Sequence, residues 1–220
     1  MQTITQELSN NSLKSFSFQV SENTPQFLMD GFVNWLSNYI ADGAEFEDGH
    51  TLEFGWSQIL CKVDDQKLSL MAPNYKDMPI KWTTDLSSIF HIMMEHKYIP
   101  ESFDEEQQAV NLLQTAIIGP DFAEEPMFIE RIEPSSQNDR DSGWFIGSLK
   151  PEIDNDTPKN LKLISLYEAV LKAPQILSFL SLPKNFRIGF KDGEVQFTKN
   201  LELIQPQKNS YLTKKSDNNS

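Results

Sequence analysis

Two histidines five positions apart, in His91-Ile92-Met93-Met94-Glu95-His96, come nearest to a metal-binding pattern in this 220-residue chain. A zinc pair on a helix needs both imidazoles on one face, which means a spacing of three or four. Five positions amount to about 500° at about 100° per residue, so the two rings point about 140° apart. The spacing therefore predicts no metal centre. His91 is expected as a partly buried helix residue and His96 as a solvated helix end. The third histidine, His50, sits in an Asp-Gly-His turn without neighbours of its kind.

Nucleophiles are scarce. Cys61, the one cysteine, lies in Gln58-Ile59-Leu60-Cys61-Lys62-Val63 and reads as a buried strand residue. The adjacent cation, Lys62, faces the opposite side of such a strand. A single cysteine also excludes an intrachain disulfide. There is no Gly-x-Ser-x-Gly elbow, and Ser142 in Asp141-Ser142-Gly143 reads as turn chemistry. A triad assembled in space around one of the histidines stays open. None of the 9 glycines builds a phosphate loop, and the many carboxylates follow from an acidic composition. No catalytic residue, cofactor or metal is assigned, and a non-enzyme is expected.

Charge says more about partners. With 32 Asp and Glu against 19 Lys and Arg, the formal net charge is -13. Such a surface repels a phosphate backbone, whose binding depends on Lys and Arg, and it disfavours anionic membrane. It attracts basic partners and speeds their encounter. From Ser15 to Cys61, and again from Ser102 to Ala123, the chain has no Lys or Arg. Asp42, Glu45, Glu47, Asp48 and Glu53 lie in the first stretch, and Asp104, Glu105, Glu106 and Asp121 in the second. If the fold joins them, they form one acidic docking face; otherwise they are solvated loops and helix starts. Trp144, after the Asp141-Ser142-Gly143 turn, is either a core anchor or an interface anchor.

Local patterns supply the elements that hold these groups. Thr24 and Pro25 open a helix that ends before Gly43, with Phe27, Leu28, Phe32, Trp35, Leu36, Tyr39 and Ile40 forming an apolar face. Strands follow over Thr51 to Val63 and Lys67 to Met71, read as a hairpin around Asp64-Asp65-Gln66. A second helix is expected from Thr84 to Lys97, with Leu86, Ile89, Phe90 and Met93 inward. A third is expected from Ser102, where Ser102-Phe103-Asp104-Glu105 fits a capping box. Further on come strands Met127 to Ile132 and Trp144 to Leu149, a helix from Leu161 to Lys172 and a short helical piece from Pro174 to Leu180. Strands Phe186 to Phe190 and Val195 to Thr198 flank Lys191-Asp192-Gly193-Glu194. Strands and helices do not alternate strictly, so the predicted class is α+β with mainly antiparallel strands.

The stretch from Glu130 to Leu182 carries a resemblance. It contains Glu130-Arg131-Ile132-Glu133-Pro134, the turn Ser142-Gly143-Trp144, the apolar Leu161-Lys162-Leu163-Ile164-Ser165-Leu166-Tyr167-Glu168, and Pro174-Gln175-Ile176-Leu177-Ser178-Phe179-Leu180. This layout resembles the thirty-third family of polymorphic-toxin immunity proteins, bacterial domains that bind a secreted toxin. The resemblance implies a protein that silences a cognate toxin partner and catalyses nothing. It covers the C-terminal half alone. An enzyme with an unrecognised active site, or a regulatory or scaffolding module, are the other readings.

The expected organisation is a flexible start over 1–16, an α+β domain over 17–126, an immunity-like α+β domain over 127–204 and a disordered tail over 205–220. The N-terminus has neither a basic start nor an apolar core, and no apolar run reaches the roughly 18 to 20 residues a bilayer needs. A cytoplasmic protein without nucleic-acid or membrane partners is expected.

Overall fold

The computed structural model describes residues 1–9, 12–135 and 138–217. The fold is α+β, and the chain divides into two compact units, Met1–Met93 and Met94–Ser220.

The first unit contains strands β1 (Gln2–Glu7), β2 (Ser15–Val20), β3 (Thr51–Phe54), β4 (Ser57–Asp64), β5 (Lys67–Pro73) and β6 (Trp82–Thr83), with helix α1 (Gln26–Ala41). The strand order is β1-β2-β5-β4-β3, with β6 paired to β5. Alternation in β2 turns Phe16, Phe18 and Val20 into the core, where Met29, Phe32, Leu36 and Ile40 of α1 meet them. Phe18 stands edge-on to Phe32 with centroids 5.2 Å apart. Trp35 is partly buried against this core, as the helical spacing predicts. Cys61 is buried among these side chains, and desolvation pushes its thiol up to about 11. The group is a packed hydrophobe, not a nucleophile.

Helix α2 (Ser87–Glu101) contains the division between the units, at Met93/Met94. The break expected near Glu124-Glu125-Pro126 instead lies inside the second unit. A helix of 15 residues long enough to contribute to two cores gives no compositional sign of a boundary. Ile89 and Phe90 belong to the first core, whereas Glu95, His96 and Ile99 are buried in the second unit.

The second unit adds β7 (Thr115–Ile118), β8 (Met127–Arg131), β9 (Asp141–Ser148), β10 (Lys162–Ser165), helix α3 (Leu166–Lys172), a 3-10 segment (Pro174–Phe179), β11 (Phe186–Lys191), β12 (Glu194–Lys199), β13 (Glu202–Ile204) and helix α4 (Tyr211–Asp217). The sheet order is β10-β7-β9-β8-β11-β12-β13, antiparallel except for the β7/β9 pair. Its inner face is a row of one residue per strand: Lys162, Ile118, Ile146, Ile129, Ile188, Phe197 and Ile204. The five residues in the middle of this row are buried. Leu166, Ala169 and Val170 of α3 and Ile176 and Phe179 of the 3-10 segment complete this core, with Phe179 packed 5.6 Å from Phe197.

Three local readings give way to longer-range pairing. The N-terminus, expected to be flexible over 1–16, forms β1, because Thr3, Ile4 and Thr5 favour extended backbone and β2 offers a hydrogen-bonding edge. No helix starts at Ser102. Its hydroxyl is engaged at the end of α2, donating to the Tyr98 carbonyl at 2.8 Å, and Asp104 has φ +60°. The apolar run after it continues into β7, whose Thr-Ala-Ile-Ile sequence suits a strand. The tail, expected to be disordered over 205–220, is docked through α4. There Lys215 pairs with the buried Glu95, Tyr211 packs 5.8 Å from Tyr98, and the Gln207 amide donates to the Ser102 carbonyl at 2.7 Å. Residues 10, 11 and 218–220, also within those two segments, lie outside the described residues.

Candidate functional site

A buried arginine joins the parts of the Glu130-to-Leu182 stretch. Arg131, only 2% exposed, donates from Nε to the Ser142 carbonyl (3.2 Å). Its Nη1 reaches the carbonyls of Gln108 (2.9 Å), Leu180 (3.2 Å) and Leu182 (2.9 Å). Two of these acceptors follow the 3-10 segment, where carbonyls at a helical end hold partial negative charge. Burial lowers the guanidinium to about 10, which still leaves it charged at neutral pH. Trp144 lies alongside, its ring 5.6 Å from the guanidinium, and its indole donates to the same Leu180 carbonyl at 3.0 Å. Gly143 has φ +75°, and a Cβ there would lie 2.4 Å from the Ile132 carbonyl oxygen. The turn thus brings Trp144 and Arg131 to the inner face of the sheet.

The outer face has a different character. Alternation along the strands places one residue per strand in a second row: Leu163, Ile117, Phe145, Glu130, Arg187, Thr198 and Leu203. None of these seven is fully buried. The next outer row contains Gly147, Phe128, Gly189 and Gln196. A Cβ on Gly147 would collide with the Phe128 ring at 2.7 Å, so glycine lets that ring lie against the sheet. The Arg187 guanidinium covers the Phe128 ring at 3.8 Å and faces Glu130 at 3.8 Å. The connection from β9 to β10 folds over one end of this face. Asn155 fixes it by accepting from the Ser148 amide (3.1 Å) and donating to the Ser148 carbonyl (2.8 Å). Between that connection and the sheet lies a cleft of about 660 Å³, lined by Phe128, Phe145, Leu149, Ile153, Leu161 and Arg187 among others. Its lining is mixed, with Glu130, Lys150, Asp154, Asp156 and Arg187 beside the apolar side chains.

Residues 95–199 match the family model of the Imm33-like domain. The match starts one residue past the first of the second unit and ends with the last residue of β12. It is longer than the resemblance read from Glu130 onward, and it includes the Arg131 node, the outer face up to β12 and the cleft. No curated protein and no solved structure matches the chain.

The two acidic stretches belong to different units, so the expectation that both sit in one domain is corrected. Asp42, Glu45, Glu47, Asp48 and Glu53 are exposed in the first unit, where Asp48 faces Lys62 at 3.5 Å and Glu47 faces His50 at 3.1 Å. In the Imm33-like segment Asp104 and Glu106 are exposed, Glu105 pairs with Lys199, and Asp121 lies 3.7 Å from Lys150. Trp144, considered as a partner anchor, is 1% exposed and belongs to the core. Sequence reasoning missed the cleft. Its available signal was the two-residue step from Phe128 to Glu130 and from Phe145 to Gly147, which puts these residues together on the face opposite Ile129 and Ile146.

The histidines reverse their expected roles. His91 is exposed, whereas His96 is buried with Nε2 at 2.8 Å from the Leu177 carbonyl. Their divergence follows from the five-residue spacing; the phase of the helix is what differs from the expectation. Among the described residues no group of three or more His, Cys, Asp or Glu is placed to hold a metal ion, and no helix is long and apolar enough to cross a membrane. Burial holds the His96 imidazole below its ordinary value of 6.5, while the Leu177 bond and Glu95 oppose this. The unfolded chain therefore takes up a proton below about pH 6.5 that the folded chain refuses. Stability should be full above that pH and fall as pH drops, by at most about 1.4 kcal/mol per unit. Urea midpoints between pH 7.5 and 5.5 check this, and His96→Gln should flatten the slope.

Proposed function

We propose that this protein is an immunity protein: it binds a cognate bacterial toxin and neutralises it by covering the toxin's active site or substrate entry. The observation that carries this reading is the match of residues 95–199 to the Imm33-like domain, within a single compact unit. An immunity-type domain points to binding as the activity and to a toxin as the partner. The architecture suits that role, since a seven-stranded sheet with a packed inner face holds its outer face ready without ordering costs on binding. The work of such a protein is done in the cytoplasm of the cell that makes it.

The first unit contributes charge. Exposed Asp42, Glu45, Glu47, Asp48 and Glu53 would draw in a toxin with a basic surface and raise the association rate, with salt weakening the effect. The deciding experiment looks for a secreted-effector reading frame beside this gene and expresses its product with and without this protein; a neighbourhood without such a frame counts against the reading. Survival only with the protein is expected; equal killing in both cultures removes the reading. Reversing Glu45, Glu47 and Asp48 to Lys should slow association about tenfold at low salt and leave the fold intact by circular dichroism. Unchanged association kinetics would discard the electrostatic component alone.

A further inference from the structure

We propose that the exposed side of helix α1 in the first unit is a contact surface for the toxin, and that it receives an arginine-bearing segment of that partner. This rests on the immunity reading above and extends it to the unit outside the Imm33-like match. Residues four apart on a helix line up in one row. In α1 such a row is formed by Phe27, Gly31, Trp35 and Tyr39. Phe27 is 59% exposed and Tyr39 44%. Trp35 is half-buried and stacks on Tyr39, with centroids 5.8 Å apart and planes within 4°.

Gly31 opens a gap in this row. A Cβ there would meet nothing within 4 Å, and its φ is not left-handed, so neither crowding nor backbone geometry calls for glycine. Glycine inside a helix weakens it relative to alanine. Its effect at the surface is to leave room between Phe27 and Trp35, where another residue type would place a side chain.

Charge selects what enters that room. A second row, Asp30, Asn34, Asn38 and Asp42, is exposed along its whole length. Each member lies three positions after a member of the first row, so the two rows are neighbours on the helix surface. Asp30 accepts from Gln26 Nε2 at 2.8 Å. Asp42 is the C-cap, where helix carbonyls already hold partial negative charge, and no base occupies the last turn. From Ser15 to Cys61 the chain offers no Lys or Arg to answer these acids. An apolar segment laid here would bury Asp30 and Asp42 without a counter-charge. A second copy of this chain would set like charges against each other. Arginine satisfies both rows at once. Its planar guanidinium stacks on an aromatic ring and donates to the carboxylate and amide oxygens alongside.

Calorimetry of the full-length protein tests this against the purified product of the adjacent effector reading frame, and against short peptides of alternating arginine and glycine or lysine and glycine. Gly31→Gln fills the gap with a better helix former, so its melting temperature should equal or exceed that of the unaltered protein. It should nevertheless bind the toxin about tenfold more weakly. The arginine peptide should bind the unaltered protein about threefold more tightly than the lysine peptide, and Phe27→Ser combined with Gly31→Gln should abolish that difference. If Gly31→Gln binds the toxin as tightly as the unaltered protein, the α1 surface is wrong while the immunity reading stands. It is equally wrong if the variant alters only self-association in sedimentation. Equal affinity for the two peptides overturns arginine as the occupant. Should the unaltered protein neither bind the toxin nor protect, or should no effector frame adjoin the gene, the immunity reading fails and takes this inference with it.

Discussion

Arg131→Met is expected to destabilise the second unit by roughly 3–5 kcal/mol, the typical cost of breaking one side of a buried charged network. Methionine fills similar volume but donates nothing, so the carbonyls of Ser142, Gln108 and Leu182 lose this donor, while that of Leu180 keeps the Trp144 indole. Each stranded acceptor carries a penalty of about 1–3 kcal/mol unless water enters or another donor moves in. The loss is a large fraction of the roughly 5–15 kcal/mol that holds an ordinary domain together. Arg131→Lys should recover only part of it. An ammonium keeps the charge but lacks the planar fork that reaches Ser142 on one side and Leu180 and Leu182 on the other. Urea denaturation followed by circular dichroism checks both variants, and a change under about 1 kcal/mol for Arg131→Met would show that the node is not structural.

What the sequence disclosed followed the range of the interactions. Helix α1 was legible because its apolar residues recur locally, and β11 and β12 were legible because Asp192-Gly193 supplies a hairpin turn between them. Ser102 misled because its local pattern fits two structures. The one that forms depends on the tail, where the Gln207 amide and α4 meet the end of α2. The tail in turn read as disordered because the partners of Lys215 and Tyr211 lie more than a hundred residues earlier. Burial of His96 is hidden from local sequence for the same reason, since the Leu177 carbonyl that receives its bond belongs to a distant segment.

The candidate site shows this limit most clearly. The outer row places Ile117, Phe145, Glu130 and Arg187 side by side, although they come from four strands in the order β7, β9, β8 and β11. Register across non-consecutive strands is not written in any one segment. The motif was easier to see than its meaning. Ser142-Gly143-Trp144 stood out as a turn followed by an aromatic residue, but that Trp144 would stack beside a buried Arg131 required the fold. The acidic residues were the reverse case: visible at once as composition, yet divided between two units by the structure.

Gly143 allows the role of that turn to be measured. Gly143→Ala should cost about 3 kcal/mol, from two sources that a second glycine separates. At φ +75° an L side chain pays roughly 1–2 kcal/mol of backbone strain. The added Cβ would also lie 2.4 Å from the Ile132 carbonyl oxygen, a backbone atom that cannot rotate away. Relief means separating β8 from β9 where the Ile132 amide donates to the Gly143 carbonyl at 2.9 Å. That movement would shift Trp144, and with it the indole bond to Leu180. Gly193 has nearly the same φ, +77°, but a Cβ there meets nothing within 4 Å. Gly193→Ala should therefore cost only the strain, about 1 kcal/mol. Chemical denaturation of the two variants reads the difference. Equal losses would mean that the approach of Ile132 is relieved without cost and that glycine at 143 serves only its dihedral angle.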